Sequence, residues 1–383
     1  MTDKLKSVAI LEAGCTVTLL DGTLPDGREI GPLPFLWLRD HCQCADCLHP
    51  ETRQRLMDSF SIPADIRPRS ATIVDDGTAL EIVWEPDGHI SRFASDFLAQ
   101  MMPEAESDPL ADPNMGRVLW DAATLARGLP QVTCSALMAE EAGLREALTQ
   151  LDRYGFIFVK GVEPTPEATE AVARRIAYIR ETIFGGFWDF TANMEHKDTA
   201  YTSLALGLHT DGTYSFDAPG YQMFHCLAFD GTGGESLLVD GFRVAEDLRA
   251  AAPDLYRVLT EIDVPGQYID QARGIHLVAR LPILRLDRSG RLVQIRYNNH
   301  DRAPFLLDAD RMAAFYRGLA AFNERLNDPA YQLRKRLEPG EMLIFDNWRA
   351  LHGRAAYQGF RRLAGAYLNK EDVESRLRVM RAG

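Results

Sequence analysis

His209 and Asp211 stand two apart in "LGLHTDGTY", and His352 follows far downstream in "DNWRALHGR". Two imidazoles and one carboxylate on one face of a ferrous ion leave three coordination positions open for a cosubstrate and oxygen. Residues two apart on a strand point the same way, so His209 and Asp211 can serve one metal. Arg361, opening "RRLAGAYL", puts a guanidinium where it can reach into the same barrel and fork onto a carboxylate. "MEHKDTAY" supplies a rival His-x-Asp at His196 and Asp198. Either pair by itself reads equally well as ordinary polar residues; the order and spacing of His209, Asp211, His352 and Arg361 together point to iron.

A second cluster is more compact. "WLRDHCQCADCLHP" crowds Cys42, Cys44 and Cys47 into one turn, and tetrahedral zinc takes four thiolate or imidazole ligands from such groups. His41, His49 and His89 are candidates for the fourth. His89 is favoured because it lies in a β meander able to fold back on the cysteine turn. With four protein ligands and no open position the zinc would be structural. The bland alternative is a set of free thiols near the surface; a redox role lacks the usual C-x-x-C setting.

The elements that must position these residues fall into two blocks. "ATIVDDGTALEIVWEPDGHISRF" reads as strand, Asp-Gly turn, strand, Asp-Gly turn, strand, so residues 1–103 are expected to form a small zinc-binding β domain. "PEAESDPLADPNM" is rich in proline and acids with no apolar period, which makes residues 104–127 a connector. Residues 128–383 are expected to form the catalytic domain. There Thr165 caps a helix with Pro166 at its first position and Val172, Ile176, Ile179 and Ile183 as one apolar stripe. Around it lie short β patterns: "YGFIFVKGV", "YQMFHCLAF", "ESLLVDGF", "LPILRLDRSGRLVQIRYN", "EMLIFDNW" and "RLAGAYL". The fold class is mainly β with bracing helices, a helix-braced jelly roll.

Composition narrows the partners. The chain has 383 residues, 46% hydrophobic and 25% charged, with a net charge of −13 and no basic run. That is the composition of a globular protein without the electrostatic footprint of a nucleic-acid or anionic-membrane binder. A small molecule is the expected partner. No apolar run reaches the length of a membrane span, and the Arg-free N-terminal stretch lacks the features of a signal or transit peptide, so a cytoplasmic location is expected.

Taken together, "WLRDHCQCADC", "WEPDGHISRF", "DTAYTSLALGLHTDGTY", "GTGGESLLVDGF", "IRYNNHDRA", "DNWRALHGR" and "GFRRLAGAYL" resemble the trimethyllysine and γ-butyrobetaine dioxygenases along nearly the whole chain. Each piece alone is weak; their joint order is specific. The resemblance implies Fe(II), 2-oxoglutarate and O2, with ascorbate as reductant, in a double-stranded β-helix domain that follows a zinc-bearing β domain, and a homodimer. It implies oxidative decarboxylation of 2-oxoglutarate coupled to hydroxylation of an unactivated C–H bond in carnitine biosynthesis.

Carried over residue by residue, it makes His209, Asp211 and His352 the iron ligands, and Cys42, Cys44, Cys47 and His89 the zinc ligands. Arg361 becomes the partner of the 2-oxoglutarate C5 carboxylate, with Arg354 close by and Ser236 of "GGES" assisting. Trp188, Tyr201 and Tyr367 match an aromatic box for a trimethylammonium group, which donates no hydrogen bonds and is held by ring faces. Phe184 stands where a tyrosine is expected. Asp198 replaces the asparagine of the γ-butyrobetaine type, and an aspartate suits the α-ammonium of an amino acid. Asn298 and Asn299 are candidate carboxylate donors, Asn299 being the one assigned to the substrate. These pocket residues favour conversion of N6,N6,N6-trimethyllysine to its 3-hydroxy form. The alternatives are γ-butyrobetaine hydroxylation giving carnitine, the type that the complete cysteine trio resembles more, and a catalytically inactive zinc-stabilised binding protein.

Overall fold

Alternation of apolar and polar residues sets the strands of the first block. Leu80, Ile82 and Trp84 are buried on one face of the strand Ala79–Glu85. It pairs on one side with Arg67–Val74 and on the other with Ile90–Ala94. The turns between them use positive φ at Asp75, Asp76, Gly77 and Gly88, which short polar residues and glycine adopt at low cost. A second three-stranded sheet joins Lys4–Ile10, Gly14–Leu20 and Arg28–Pro34. Val17, Leu19, Ile30, Phe35, Trp84 and Phe93 share one core there. The computed structural model describes residues 4–20, 27–100, 116–190 and 203–382, and the chain divides into two compact units, Met1–Pro113 and Asn114–Gly383.

The second unit is built on two sheets. The larger runs in the order Phe187–Phe190, Tyr357–Leu368, Tyr221–Gly233, Glu341–Asp346, Phe156–Lys160, Gln131–Thr133. The smaller runs Leu206–His209, Ala350–Arg354, Ser236–Asp240, Gln332–Lys335. Phe158, Cys226, Leu343 and Leu363 of the larger sheet pack with Leu238 and Ala350 of the smaller, so the two form a curled β sandwich. Helices cover the outer faces. Glu141–Tyr154, Pro166–Ile176 and Lys370–Ala382 close over Met223, Ile344 and Ala366, while Gly241–Ala251, Pro253–Glu261 and Ala309–Asn327 cover Val239 and Leu351.

Two expectations change. The Thr165-capped helix exists, with Thr165 Oγ1 accepting from Ala168 N at 3.2 Å, but it stops at Ile176. Ile179 leaves the helical stripe because Ile179–Arg180 pairs with Leu368 and Tyr367 at the end of the long strand. That edge gives its backbone ladder hydrogen bonds and its side chain the same apolar core. Residues 116–127, expected in the connector, pack into the second unit. Trp120 is fully buried against Phe156, their ring centroids 5.1 Å apart; residues 104–115 lie outside the described residues.

A buried ion pair fastens that segment. Arg349 Nε and Nη2 donate to the two carboxylate oxygens of Asp240 at 3.0 and 2.7 Å. Arg349 also donates to the carbonyls of Arg153 and Val118, and Trp120 N donates to Asp240. Removing one partner leaves a charge buried without compensation, so Asp240→Asn is expected to lower unfolding free energy by about 3–5 kcal/mol. The midpoint of chemical denaturation checks this.

Candidate active site and metal centres

His209 and His352 stand directly opposite each other in the antiparallel pair Leu206–His209 and Ala350–Arg354, which explains how residues so distant in sequence meet. Their ring centroids are 4.2 Å apart. Asp211 lies just past the end of its strand, where the Asn347 side chain grips its backbone. Asn347 Oδ1 accepts from Asp211 N at 2.8 Å, and Nδ2 donates to the Asp211 carbonyl at 3.0 Å. Asp211 Oδ1 is 3.2 Å from His209 Nε2 and Oδ2 is 3.7 Å from His352 Nε2. One ligand atom from each of the three lies within 4.8 Å of the others.

The donor set fits a metal ion. His209 Nδ1 bonds to the Gly207 carbonyl at 2.8 Å, which makes Nδ1 the protonated nitrogen and turns the Nε2 lone pair toward the carboxylate. A lone pair facing an anion calls for a cation between them. Burial and the His209 charge push His352 down to about 3, so it is a neutral ligand near neutral pH. Burial raises the Asp211 carboxyl, but the electrostatics of the two facing histidines and a hydrogen bond from Tyr367 outweigh it and hold it well below the usual range.

The three residues line a cavity of about 370 Å³ together with Phe184, Trp188, Ser236, Arg354, Arg361 and Tyr367. Arg354 and Arg361 lie 5.1 and 5.7 Å over the Tyr357 ring. Burial, and then the neighbouring Arg354 charge, lowers Arg361 to about 10, still cationic at neutral pH. Two adjacent guanidinium groups bordering a cavity, that of Arg354 buried and that of Arg361 half-buried, form a receptor for an anion of carboxylate geometry. Farther along the strand that carries Arg361, Tyr367 meets Trp188 at 4.4 Å between centroids. Their approach depends on Gly365, opposite Trp188 in the sheet, because a Cβ there would lie 2.8 Å from Trp188 Nε1.

Sequence reasoning missed part of this wall. Tyr214 and Tyr268 also line the cavity, with centroids 5.4 Å apart, and Phe184 meets Tyr268 edge-on at 6.2 Å. Tyr268 lies on the hairpin Asp263–Asp270 and Ile275–Pro282, whose sequence carries no motif. The assignment of Asn299 is corrected: Asn298 borders the cavity, donating to Asp301 at 2.9 Å, whereas Asn299 is exposed and faces a separate depression. His196, Asp198 and Tyr201 lie outside the described residues.

In the first unit Cys42, Cys44, Cys47 and His89 converge. His89 Nε2 is 3.3, 3.7 and 3.6 Å from the three Sγ atoms. The other two candidate histidines are engaged elsewhere. His41 stacks on Trp37 and bonds to its carbonyl, and His49 Nδ1 accepts from Glu51 N and Thr52 N. Burial, followed by the Arg39 charge, lowers His89, which keeps the imidazole neutral. Three sulfurs around one ring nitrogen are an S₃N donor set of the kind that zinc takes in structural sites.

A curled β sandwich with an open histidine–carboxylate face inside it defines the class of Fe(II)- and 2-oxoglutarate-dependent oxygenases. The chain matches the profile of the Taurine catabolism dioxygenase TauD, TfdA family over residues 121–367, and that of the Gamma-butyrobetaine hydroxylase-like N-terminal region over residues 24–99. It therefore belongs to the TauD, TfdA family, in its trimethyllysine and γ-butyrobetaine dioxygenase branch, and is a 2-oxoglutarate-dependent dioxygenase. Trimethyllysine dioxygenase, mitochondrial, from Gallus gallus is 39% identical over 90% of this chain and 82% of that relative. Gamma-butyrobetaine dioxygenase from Pseudomonas sp. is 35% identical over 98% of this chain and 96% of that relative. The crystal structure of AAD-2 in complex with Mn(II) and N-oxalylglycine shares the fold with a TM-score of 0.50 at 14% identity, covering 62% of this chain and 94% of that one. Among the described residues no helix is long and apolar enough to cross a membrane.

Proposed function

We propose that the chain hydroxylates a quaternary-ammonium amino acid, N6,N6,N6-trimethyllysine to 3-hydroxy-trimethyllysine, with Fe(II) held by His209, Asp211 and His352. The observation that carries this reading is the Trp188–Tyr367 aromatic pair opening on the same cavity as the triad. Bound there, iron would supply the oxygen activation that oxidises 2-oxoglutarate and an unactivated C–H bond. The protein's share is positioning. Arg361 forks onto the far carboxylate of 2-oxoglutarate, with Arg354 and Ser236 alongside, and the aromatic faces fix the trimethylammonium so that one C–H lies nearest the metal. Asp198 takes the α-ammonium. Cys42, Cys44, Cys47 and His89 hold a structural Zn(II), and the working assembly is a homodimer.

The competing substrate is γ-butyrobetaine, favoured by the complete Cys₃His cluster and by the Pseudomonas relative's extent of match. The experiment is turnover of both compounds by the purified iron-loaded enzyme, with the oxygenated product read by mass. Higher kcat/KM for trimethyllysine is expected; higher kcat/KM for γ-butyrobetaine overturns the assignment. The aromatic wall gives a second check. Loss of one ring face costs about 0.5–2 kcal/mol for a bound cation, so Trp188→Leu is expected to raise KM for the ammonium substrate roughly 2- to 30-fold. The KM for 2-oxoglutarate should stay at the wild-type value.

A further inference from the structure

The Tyr367 hydroxyl points at the metal-binding carboxylate. Its Oη donates to Asp211 Oδ2 at 2.6 Å, and Gln222 Nε2 donates to the same Oη at 3.4 Å. Gln222 and Tyr367 are cross-strand partners in the long pairing of Tyr221–Gly233 with Tyr357–Leu368, so the hydroxyl is fixed to the most extensive ladder of the second unit. Asp211 stands beyond the end of a four-residue strand. Asn347 fixes its backbone, which leaves the carboxylate's own rotation to be set by what it touches.

Resting on the reading that the triad holds iron, we infer that Tyr367 is a positioning residue whose hydroxyl engages Oδ2 and thereby presents Asp211 to the metal through one oxygen, Oδ1. A carboxylate that chelates through both oxygens takes a coordination position that a three-residue facial site must keep open. Hydrogen bonds to a ligating carboxylate set its orientation and the affinity of the site. The same ring contacts Trp188, so one side chain joins the ammonium-binding wall to the metal's coordination. A ring serving only as an aromatic face would have no use for the hydroxyl in this direction.

The test is Co(II) titration of the metal-free enzyme in four forms: wild type, Tyr367→Phe, Trp188→Phe and His352→Ala. Tyr367→Phe keeps the ring and removes one O–H. It is expected to bind Co(II) about 10-fold or more weakly, with a changed visible Co(II) spectrum, while Trp188→Phe matches wild type in both. Metal-free Tyr367→Phe is expected to melt with wild type by circular dichroism, which separates a positioning role from a folding defect. Wild-type Co(II) affinity and spectrum in Tyr367→Phe would overturn the inference. Equal binding by His352→Ala and wild type would instead overturn the iron-site reading, and this inference with it.

Discussion

Arg361→Leu is expected to raise the KM for 2-oxoglutarate by on the order of 100-fold, leaving Co(II) affinity unchanged. Truncating one partner of a buried, hydrogen-bonded charge pair costs roughly 2–5 kcal/mol, and each 1.4 kcal/mol or so is a factor of ten. Arg361 is suited to such a pair because burial and the adjacent Arg354 charge disfavour its cationic form, and an incoming carboxylate relieves both. Arg361→Lys keeps the charge and loses the planar fork, so its KM should fall between the two. Succinate release at varied 2-oxoglutarate reads the effect. A KM unchanged in Arg361→Leu would move the cosubstrate site elsewhere.

The other large effect concerns the first unit. Structural zinc contributes an apparent binding free energy of about 10–16 kcal/mol in small zinc domains, comparable to or larger than the roughly 5–15 kcal/mol stability of a typical domain. Cys42→Ser removes one of the three sulfurs 3.3–3.7 Å from His89 Nε2. It is expected to purify without zinc by elemental analysis and to lose amide-exchange protection across residues 67–94. Native protection in a zinc-free Cys42→Ser protein would show that the cluster is not needed for the fold.

How much of this was legible in the sequence follows from the range of the interactions. The strand patterns were readable because alternation is local, and the larger sheet contains "YGFIFVKGV", "YQMFHCLAF" and "EMLIFDNW" as Phe156–Lys160, Tyr221–Gly233 and Glu341–Asp346. His209, Asp211 and His352 were readable as a group because side-chain chemistry restricts which residues gather on one face; their cross-strand apposition was not, since register is fixed by pairing and not by type. Ile179 was misassigned because its spacing suits a helix while an edge of the long strand lay within its reach. Asn298 and Asn299 could not be told apart without the turn that aims them. Tyr268 carries no sequence signal, and the roles of Asn347 and Arg349, although both stand in "DNWRALHGR", were not legible because each acts on residues distant in the chain.

The most direct measurement of the iron-site account is anaerobic addition of Fe(II) and 2-oxoglutarate to the metal-free enzyme, monitored by the visible charge-transfer absorption of a 2-oxo acid chelated to ferrous iron. The account predicts an absorption that saturates at one iron per chain, vanishes in His352→Ala, and in Arg361→Leu needs far more 2-oxoglutarate to develop. An absorption of undiminished strength in His352→Ala, or none in the wild type, would contradict it.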